Sequence, residues 1–321
     1  MNKKISIICT LGPSSLNKEF LNFAKNKVSL FRLNMSHLSL SQLQKSINFI
    51  RQYSKIPICV DTEGAQIRTK IKKNKFFKLN QKVLILKKGG NFNLYPETIF
   101  KKIEKEDILN VGFENLKLKV IKKNNKNLSC KTIASGKLEN NKGVHLENRK
   151  IKLDFLTRKD LDAIKVAVKL NINNFALSFT NSANDIIKFN KLLKNKNKIF
   201  KIETKMAIKN FNSILKTGNN FLIDRGDLSK DVSIENIPFV QRKLFLIKNK
   251  YKNKKIFVAT NLLESMMTNN YPTRGEANDI FNCLEMGSHG LVLAAETAIG
   301  KYPKEAVDFL KKMIQVFQKN K

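Results

Sequence analysis

Apolar, β-branched runs of strand length recur along the chain at residues 5–10, 28–33, 56–62, 174–179, 199–203, 221–225, 256–260 and 289–295. Between them, apolar positions return with helical spacing, as in residues 40–52, 158–170, 183–193, 237–250 and 304–317. Recurrence at every third or fourth residue predicts amphipathic helices, and Pro303 suits a first helical turn. Strands that alternate with helices in this way predict βα units on a parallel sheet.

One stretch breaks the rhythm. From Lys70 to Lys150 the pattern is one of short alternating strands (82–86, 116–121, 128–133) separated by turn residues. This stretch carries 21 basic and 7 acidic residues, a net charge of +14. The remainder, with its eight strand candidates, has the size of a (β/α)8 TIM barrel, about 250 residues. The expected fold is therefore α/β: a TIM barrel formed by residues 1–69 and 151–321, with a small, lid-like β domain (70–150) inserted after the third strand. An open doubly wound sheet is the rival, but no GxGxxG turn supports it.

Composition changes this picture less than it first suggests. The 321 residues carry a formal charge of +35, which raises a nucleic-acid partner. Yet 53 of the 61 basic residues are Lys and only 8 are Arg, beside 39 Asn and no Trp. That bias is expected of AT-rich codons on exposed faces, so a general attraction to polyanions follows but no dedicated nucleic-acid partner. No apolar run reaches the ~20 residues of a membrane helix, and the N-terminus lacks the long apolar region of an export signal. The cysteines Cys9, Cys59, Cys130 and Cys283 form no CxxC pair, against both a zinc site and a disulfide framework. A reducing cytoplasm is the expected location.

A barrel demands that chemistry cluster where its strands end. Polar residues gather at six such ends: Arg32, Asn34, Ser36 and His37; Asp61 and Thr62, followed by Arg68; Lys201 and Glu203; Arg225, Gly226 and Asp227; Thr260; and Glu296 with Thr297. Lys201 and Glu203 are two apart and so share one strand face. With Asp227 from the neighbouring strand they offer two carboxylates beside a lysine, a set that suits a hard cation such as Mg²⁺. A metal, a fixed lysine and arginines together suit stabilisation of charge on a transferring phosphoryl group. In a chain that writes its basic residues as Lys, Arg32 and Arg68 read as phosphate contacts, whereas Arg225 and Arg274 serve equally well as structural ion-pair partners. His145 and His289 read as packing or surface residues.

These stretches resemble the pyruvate kinase family over essentially the whole chain. The likeness runs through Cys9-Thr10-Leu11-Gly12-Pro13-Ser14-Ser15, Arg32-Leu33-Asn34-Met35-Ser36-His37, Asp61-Thr62-Glu63-Gly64, Ile67-Arg68-Thr69 and Lys142-Gly143-Val144. It continues in Lys201-Ile202-Glu203, Arg225-Gly226-Asp227-Leu228, Ala259-Thr260, Pro272-Thr273-Arg274 and Glu296-Thr297. The resemblance implies a TIM barrel with a β domain after strand three. It also implies phosphoryl transfer from phosphoenolpyruvate to ADP, giving pyruvate and ATP.

By the same resemblance, Lys201, Arg32 and Thr260 are catalytic, and Gly226 and Asp227 complete the substrate contacts. Asn34, His37, Arg68 and Lys142 serve the nucleotide. Glu203 and Asp227 hold Mg²⁺ (or Mn²⁺), and Asn34, Ser36, Asp61 and Thr62 hold K⁺. The chain departs from the family pattern at Glu63, Ala65, Gln66, Gly112-Phe113, Thr204 and Ala294-Ala295. It also stops where the family usually carries a regulatory C-terminal domain, so an unregulated enzyme is expected, with homo-oligomerisation left open. The alternatives are a diverged paralogue acting on another phosphorylated enol acid, a metal-dependent aldolase, or a non-catalytic homologue.

Overall fold

The computed structural model describes residues 4–64, 66–112, 116–149, 151 and 153–320. The chain forms two compact units: Met1–Gly64 with Arg158–Lys321, and Ala65–Thr157. The parting therefore falls at 64/65 and 157/158, where the sequence pattern suggests 69/70 and 150/151. The reason is local. Ile67–Ile71 is a strand paired antiparallel to Phe92–Tyr95 and Gly143–Leu146, so Arg68 and Thr69 belong to the inserted unit.

The first unit is a closed barrel of eight parallel strands: Ser6–Thr10, Leu30–Asn34, Ile58–Asp61, Asn174–Leu177, Asn197–Ile202, Asn220–Asp224, Lys255–Ala259 and Gly290–Leu293. All eight expected strands form, each shifted by a few residues or fewer at its ends. Inward positions follow the strand period of two. Ile8, Leu222, Phe257, Ala259 and Val292 pack together inside, with Leu30 and Ile199 against them. Two residues further along their strands, Ile8, Leu30, Ile199 and Leu222 give way to Thr10, Arg32, Lys201 and Asp224. The barrel interior thus changes from apolar to charged at its carboxyl end.

The helices start at sequence-coded caps. Ser39 and Gln42 form a reciprocal capping box for Leu40–Tyr53, whose buried Leu43, Ile47 and Ile50 lie on one face. Ser182 with Asp185 and Thr273 with Glu276 cap Ala183–Leu192 and Arg274–Glu285 in the same way. Pro303 opens the helix Pro303–Lys319, which buries Val307, Leu310, Ile314 and Phe317. Arg274 is the first residue of its helix.

The inserted unit is a second closed barrel of seven short strands, with a two-stranded sheet pairing Gly136–Leu138 and Lys75–Phe77. Its core is its own, built from residues such as Ile85, Leu109, Leu118, Val120 and Leu128. Phe113, Ala65 and Lys150 lie outside the described residues. Among the described residues, no helix is long and apolar enough to cross a membrane.

All four cysteines are free and buried. Burial pushes the thiols of Cys130 and Cys283 up to about 12 and raises Cys9 and Cys59 as well. Because the thiolate is the reactive form, the native protein should consume almost no thiol reagent at pH 8. All four should titrate once it is denatured; rapid native labelling of any of them would contradict this burial.

Candidate active site

Lys201 is the centre of the barrel's carboxyl end. It is 4% exposed, and its Nζ lies 3.1 Å from Glu203 Oε2, 3.2 Å from Asp224 Oδ2 and 3.5 Å from Asp61 Oδ2. Burial alone lowers an ammonium pKa. Here the carboxylates of Asp61, Glu203 and Asp224 outweigh it, so Lys201 is held charged well above the usual lysine range. Its Nζ also donates to Ser178 Oγ at 3.2 Å.

Asp61 joins this lysine to Arg32. Arg32 Nε donates to Asp61 Oδ2 at 2.7 Å and Nη1 to Thr10 Oγ1 at 3.0 Å, and Nη2 completes the pair at 2.5 Å. The fork is thus fixed from below, and an arginine's five donors leave others for a ligand. Asp61 Oδ1 accepts from Ser178 Oγ (3.3 Å), which also donates to the Thr62 carbonyl (2.6 Å), while Ser178 N donates to Thr62 Oγ1. Asn34 pairs in register with Asp61 across the second and third strands, and its Oδ1 accepts from Ser36 N at 3.0 Å. His37 is exposed on the loop that follows.

Asp227 lies in the first turn of the helix Arg225–Asp231, not on the strand itself, and Lys230 pairs with it at 2.5 Å. Glu203, Asp224 and Asp227 each present an oxygen, all within 4.8 Å of one another. The cluster is all-oxygen and acidic, and Glu203 Oε2 is buried with the Lys201 ammonium at 3.1 Å but no well-directed hydrogen bond. These donors fit a hard divalent cation such as Mg²⁺. Burial raises the Glu203 carboxyl to about 8 against the pull of Lys201, with Asp224 and Asp227 adding to the rise. Burial also opposes the Asp224 charge, but Lys201 and Arg32 outweigh it, and its carboxyl falls below the usual range. For K⁺, the oxygens of Asn34, Ser36, Asp61 and Thr62 are of the right kind, although Asp61 already faces two fixed cations.

Thr260 follows the seventh strand with φ +76°, a strained conformation for a β-branched residue. Its Oγ1 donates to Asp224 Oδ1 at 2.8 Å, and Arg225 donates to its carbonyl at 3.0 and 2.7 Å. Arg225 also pairs with Asp279, so its role is structural. Gly226 must be glycine, since a Cβ there would meet Thr260 Cγ2 at 2.7 Å. Glu296 and Thr297 are likewise structural: Glu296 accepts from the N–H groups of Leu263 and Ala294, and Thr297 donates to the Thr10 carbonyl.

Arg68 and Lys142 lie on the inserted unit. Antiparallel pairing sets Gly143 opposite Arg68, Arg68 Nη1 donates to the Asn141 carbonyl, and Lys142 pairs with Glu139 at 3.1 Å. Lys142 thus adjoins the residue that faces Arg68 across the pairing.

The sequence reading misses Asp224, Ser178, the Phe179 N–H that donates to Glu203 Oε1 at 2.5 Å, and Asp160. Asp224 carries a usable signal: it stands two residues beyond the inward Leu222. Ser178 and Asp160 carry none. Fully buried Asp160 accepts from the N–H groups of Glu63 (2.7 Å) and Gly64 (3.2 Å) and fixes the turn after Asp61-Thr62. Glu63 itself pairs with Lys159, and Thr204 is the N-cap of Lys205–Lys209, so both departures have local structural roles.

The family model described as the pyruvate kinase barrel domain matches residues 2–307. The chain is 35% identical over 322 residues to a pyruvate kinase of Methanocaldococcus jannaschii, covering 98% of this chain and 70% of that one. It is 33% identical over 325 residues to a pyruvate kinase of Staphylococcus saprophyticus, covering 95% of this chain and 55% of that one. Against a pyruvate kinase of Thermotoga maritima it is 30% identical over 338 residues, covering 99% and 72%. The chain thus spans between about half and three quarters of the length of these relatives.

Replacing Asp160 with Ala should destabilise the barrel by about 1–3 kcal/mol per orphaned N–H, read as a lower denaturant midpoint. Asp160→Asn, which keeps one acceptor, should fall between.

Proposed function

The chain belongs to the pyruvate kinase family, and from that premise we propose that it transfers the phosphoryl group of phosphoenolpyruvate to ADP, giving pyruvate and ATP as in glycolysis. The observation that carries this reading is the buried Lys201 among Asp61, Glu203 and Asp224, beside a carboxylate cluster that fits a divalent cation.

Lys201 stabilises the charge that develops on the phosphoryl group in flight. Its ammonium is held charged and in place by carboxylates, so it needs no reorganisation when that charge appears. Arg32, locked by Asp61 and Thr10, turns its remaining N–H donors to the phosphate. Thr260 and the backbone at Gly226-Asp227 hold the three-carbon acid, and Thr260 lies on the face where the enolate gains its proton, through water. Glu203 and Asp227 would hold Mg²⁺ (or Mn²⁺), which when bound supplies charge neutralisation for substrate oxygens. Arg68, Lys142, His37 and Asn34 serve ADP. Asn34, Ser36, Asp61 and Thr62 are the K⁺ set; Asp61 is shared there with Arg32 and Lys201, so dependence on K⁺ should be weak.

A coupled assay with phosphoenolpyruvate, ADP and Mg²⁺ tests the reading directly. Lys201→Met should lower kcat by about 10²–10³ or more with little change in KM for phosphoenolpyruvate. The variant should also lose stability, because Met leaves three carboxylates without their shared cation, a loss of about 3–5 kcal/mol. Folded variant with kcat near wild type would refute the catalytic role.

Phosphoenolpyruvate should bind far more weakly in excess chelator, since the cation that neutralises its oxygens beside the carboxylates of Glu203 and Asp227 is then missing. Equal affinity by calorimetry with and without Mg²⁺ would remove the cation from the substrate site.

A further inference from the structure

The proposed reaction uses two carboxylates of the acidic cluster, Glu203 and Asp227. Asp224 is the third, and it is placed as firmly as the others. It ends the sixth barrel strand, in register with Ala259 of the seventh, and is 6% exposed. One of its oxygens faces Lys201 at 3.2 Å, and the other accepts from Thr260 Oγ1 at 2.8 Å. A carboxylate has about four lone-pair sites, so neither contact exhausts its capacity as a ligand.

The charge count at this end of the barrel does not close. Among the described residues in the network around Lys201, Arg32 and Lys201 are the buried cations, whereas Asp61, Glu203 and Asp224 are buried anions. Asp227 is already matched by Lys230. With Glu203 ionised, one negative charge is left over, in a chain whose net charge is +35 and which elsewhere has cations to spare. A buried carboxylate without a partner is costly. Glu203 Oε2, on a residue 1% exposed, has the Lys201 ammonium at 3.1 Å but no well-directed hydrogen bond, so part of the cluster's acceptor capacity is unspent. A cation among three oxygens within 4.8 Å of one another meets both deficits.

We propose that Asp224 is a third protein ligand of the divalent cation, so that the seat is assembled and holds its metal before substrate arrives. Affinity for a hard cation rises with the number and charge of its oxygen ligands. The same carboxylate restrains the hydroxyl of Thr260, so cation seat and acid-binding threonine form one unit. The inference rests on the family reading for the place of the cation and on the geometry for the ligand.

Mn²⁺ titrated into the substrate-free full chain, followed by electron paramagnetic resonance, gives the affinity. Pulsed measurements in D₂O count the waters on the bound ion. Asp224→Ala should weaken Mn²⁺ binding by more than the about 10–100-fold typical of losing an outer-shell partner, and add one water to the inner sphere. Asp224→Asn keeps the shape and an acceptor for Thr260, and should show a smaller loss of affinity; it decides the matter if the alanine variant does not fold, as judged by circular dichroism. Unchanged affinity in the folded variants overturns the proposal, as does weakened binding with no added water, because that result means a charge acting from outside the coordination sphere. Failure of the two readings is distinguishable. Phosphoryl transfer by the wild type with wild-type Mn²⁺ binding in Asp224→Ala rejects the ligand alone. No transfer with the expected change in water count rejects the family activity and keeps the ligand.

Discussion

The carboxyl end of the barrel depends on one buried ammonium. Lys201, from the fifth strand, is shared by Asp61 of the third, Glu203 just past its own, and Asp224 of the sixth. Each of these groups would be expensive to bury alone. Together they close around the lysine, and Arg32 from the second strand braces Asp61 from the other side. The network joins strands that are far apart in sequence and allows charge to sit where a barrel would otherwise be filled with apolar side chains.

Such a network is possible because of the strand period. Leu30, Ile199 and Leu222 fill the barrel, and the next inward residue on each strand is Arg32, Lys201 or Asp224. The same alternation that builds the core therefore delivers the charged layer, and register decides which charges meet. Parallel pairing sets Arg32 beside Cys59 and Asn34 beside Asp61, while Lys201 pairs with Leu222. A slip of one residue would turn Lys201 out of the barrel and destroy both core and site. Stability and chemistry share one constraint.

The loops at this end are held by groups with no part in the chemistry. Arg225 spends its fork on Asp279 and on the carbonyls of Thr260 and Asn261. Glu296 and Asp160 satisfy backbone N–H groups. These contacts hold Thr260 at φ +76° and fix the turn after Asp61-Thr62. The inserted unit follows the same logic on its own core, where antiparallel pairing, not nearness in sequence, sets Gly143, next to Lys142, opposite Arg68.

The periodicity of the sequence determined the eight strands, the capped helices and the insertion after the third strand, because those features depend on local alternation and on capping residues within a few positions. It also marked Arg32, Asp61, Lys201, Glu203, Asp227 and Thr260, because strand ends in a barrel are where polar side chains converge. It placed Arg68 with the barrel and Asp227 on a strand, since the pattern cannot show where pairing partners change or where a helix begins. Asp224 was passed over because the polar residues of the sixth strand were sought in Arg225-Gly226-Asp227, although alternation from the inward Leu222 carries Asp224 inward. Ser178, the Phe179 N–H and Asp160 were decided by the tertiary structure alone. Their roles depend on which backbone and side-chain groups lie within 3 Å or so across the barrel, distances set by hydrogen bonding between strands and loops that the order of residues does not encode.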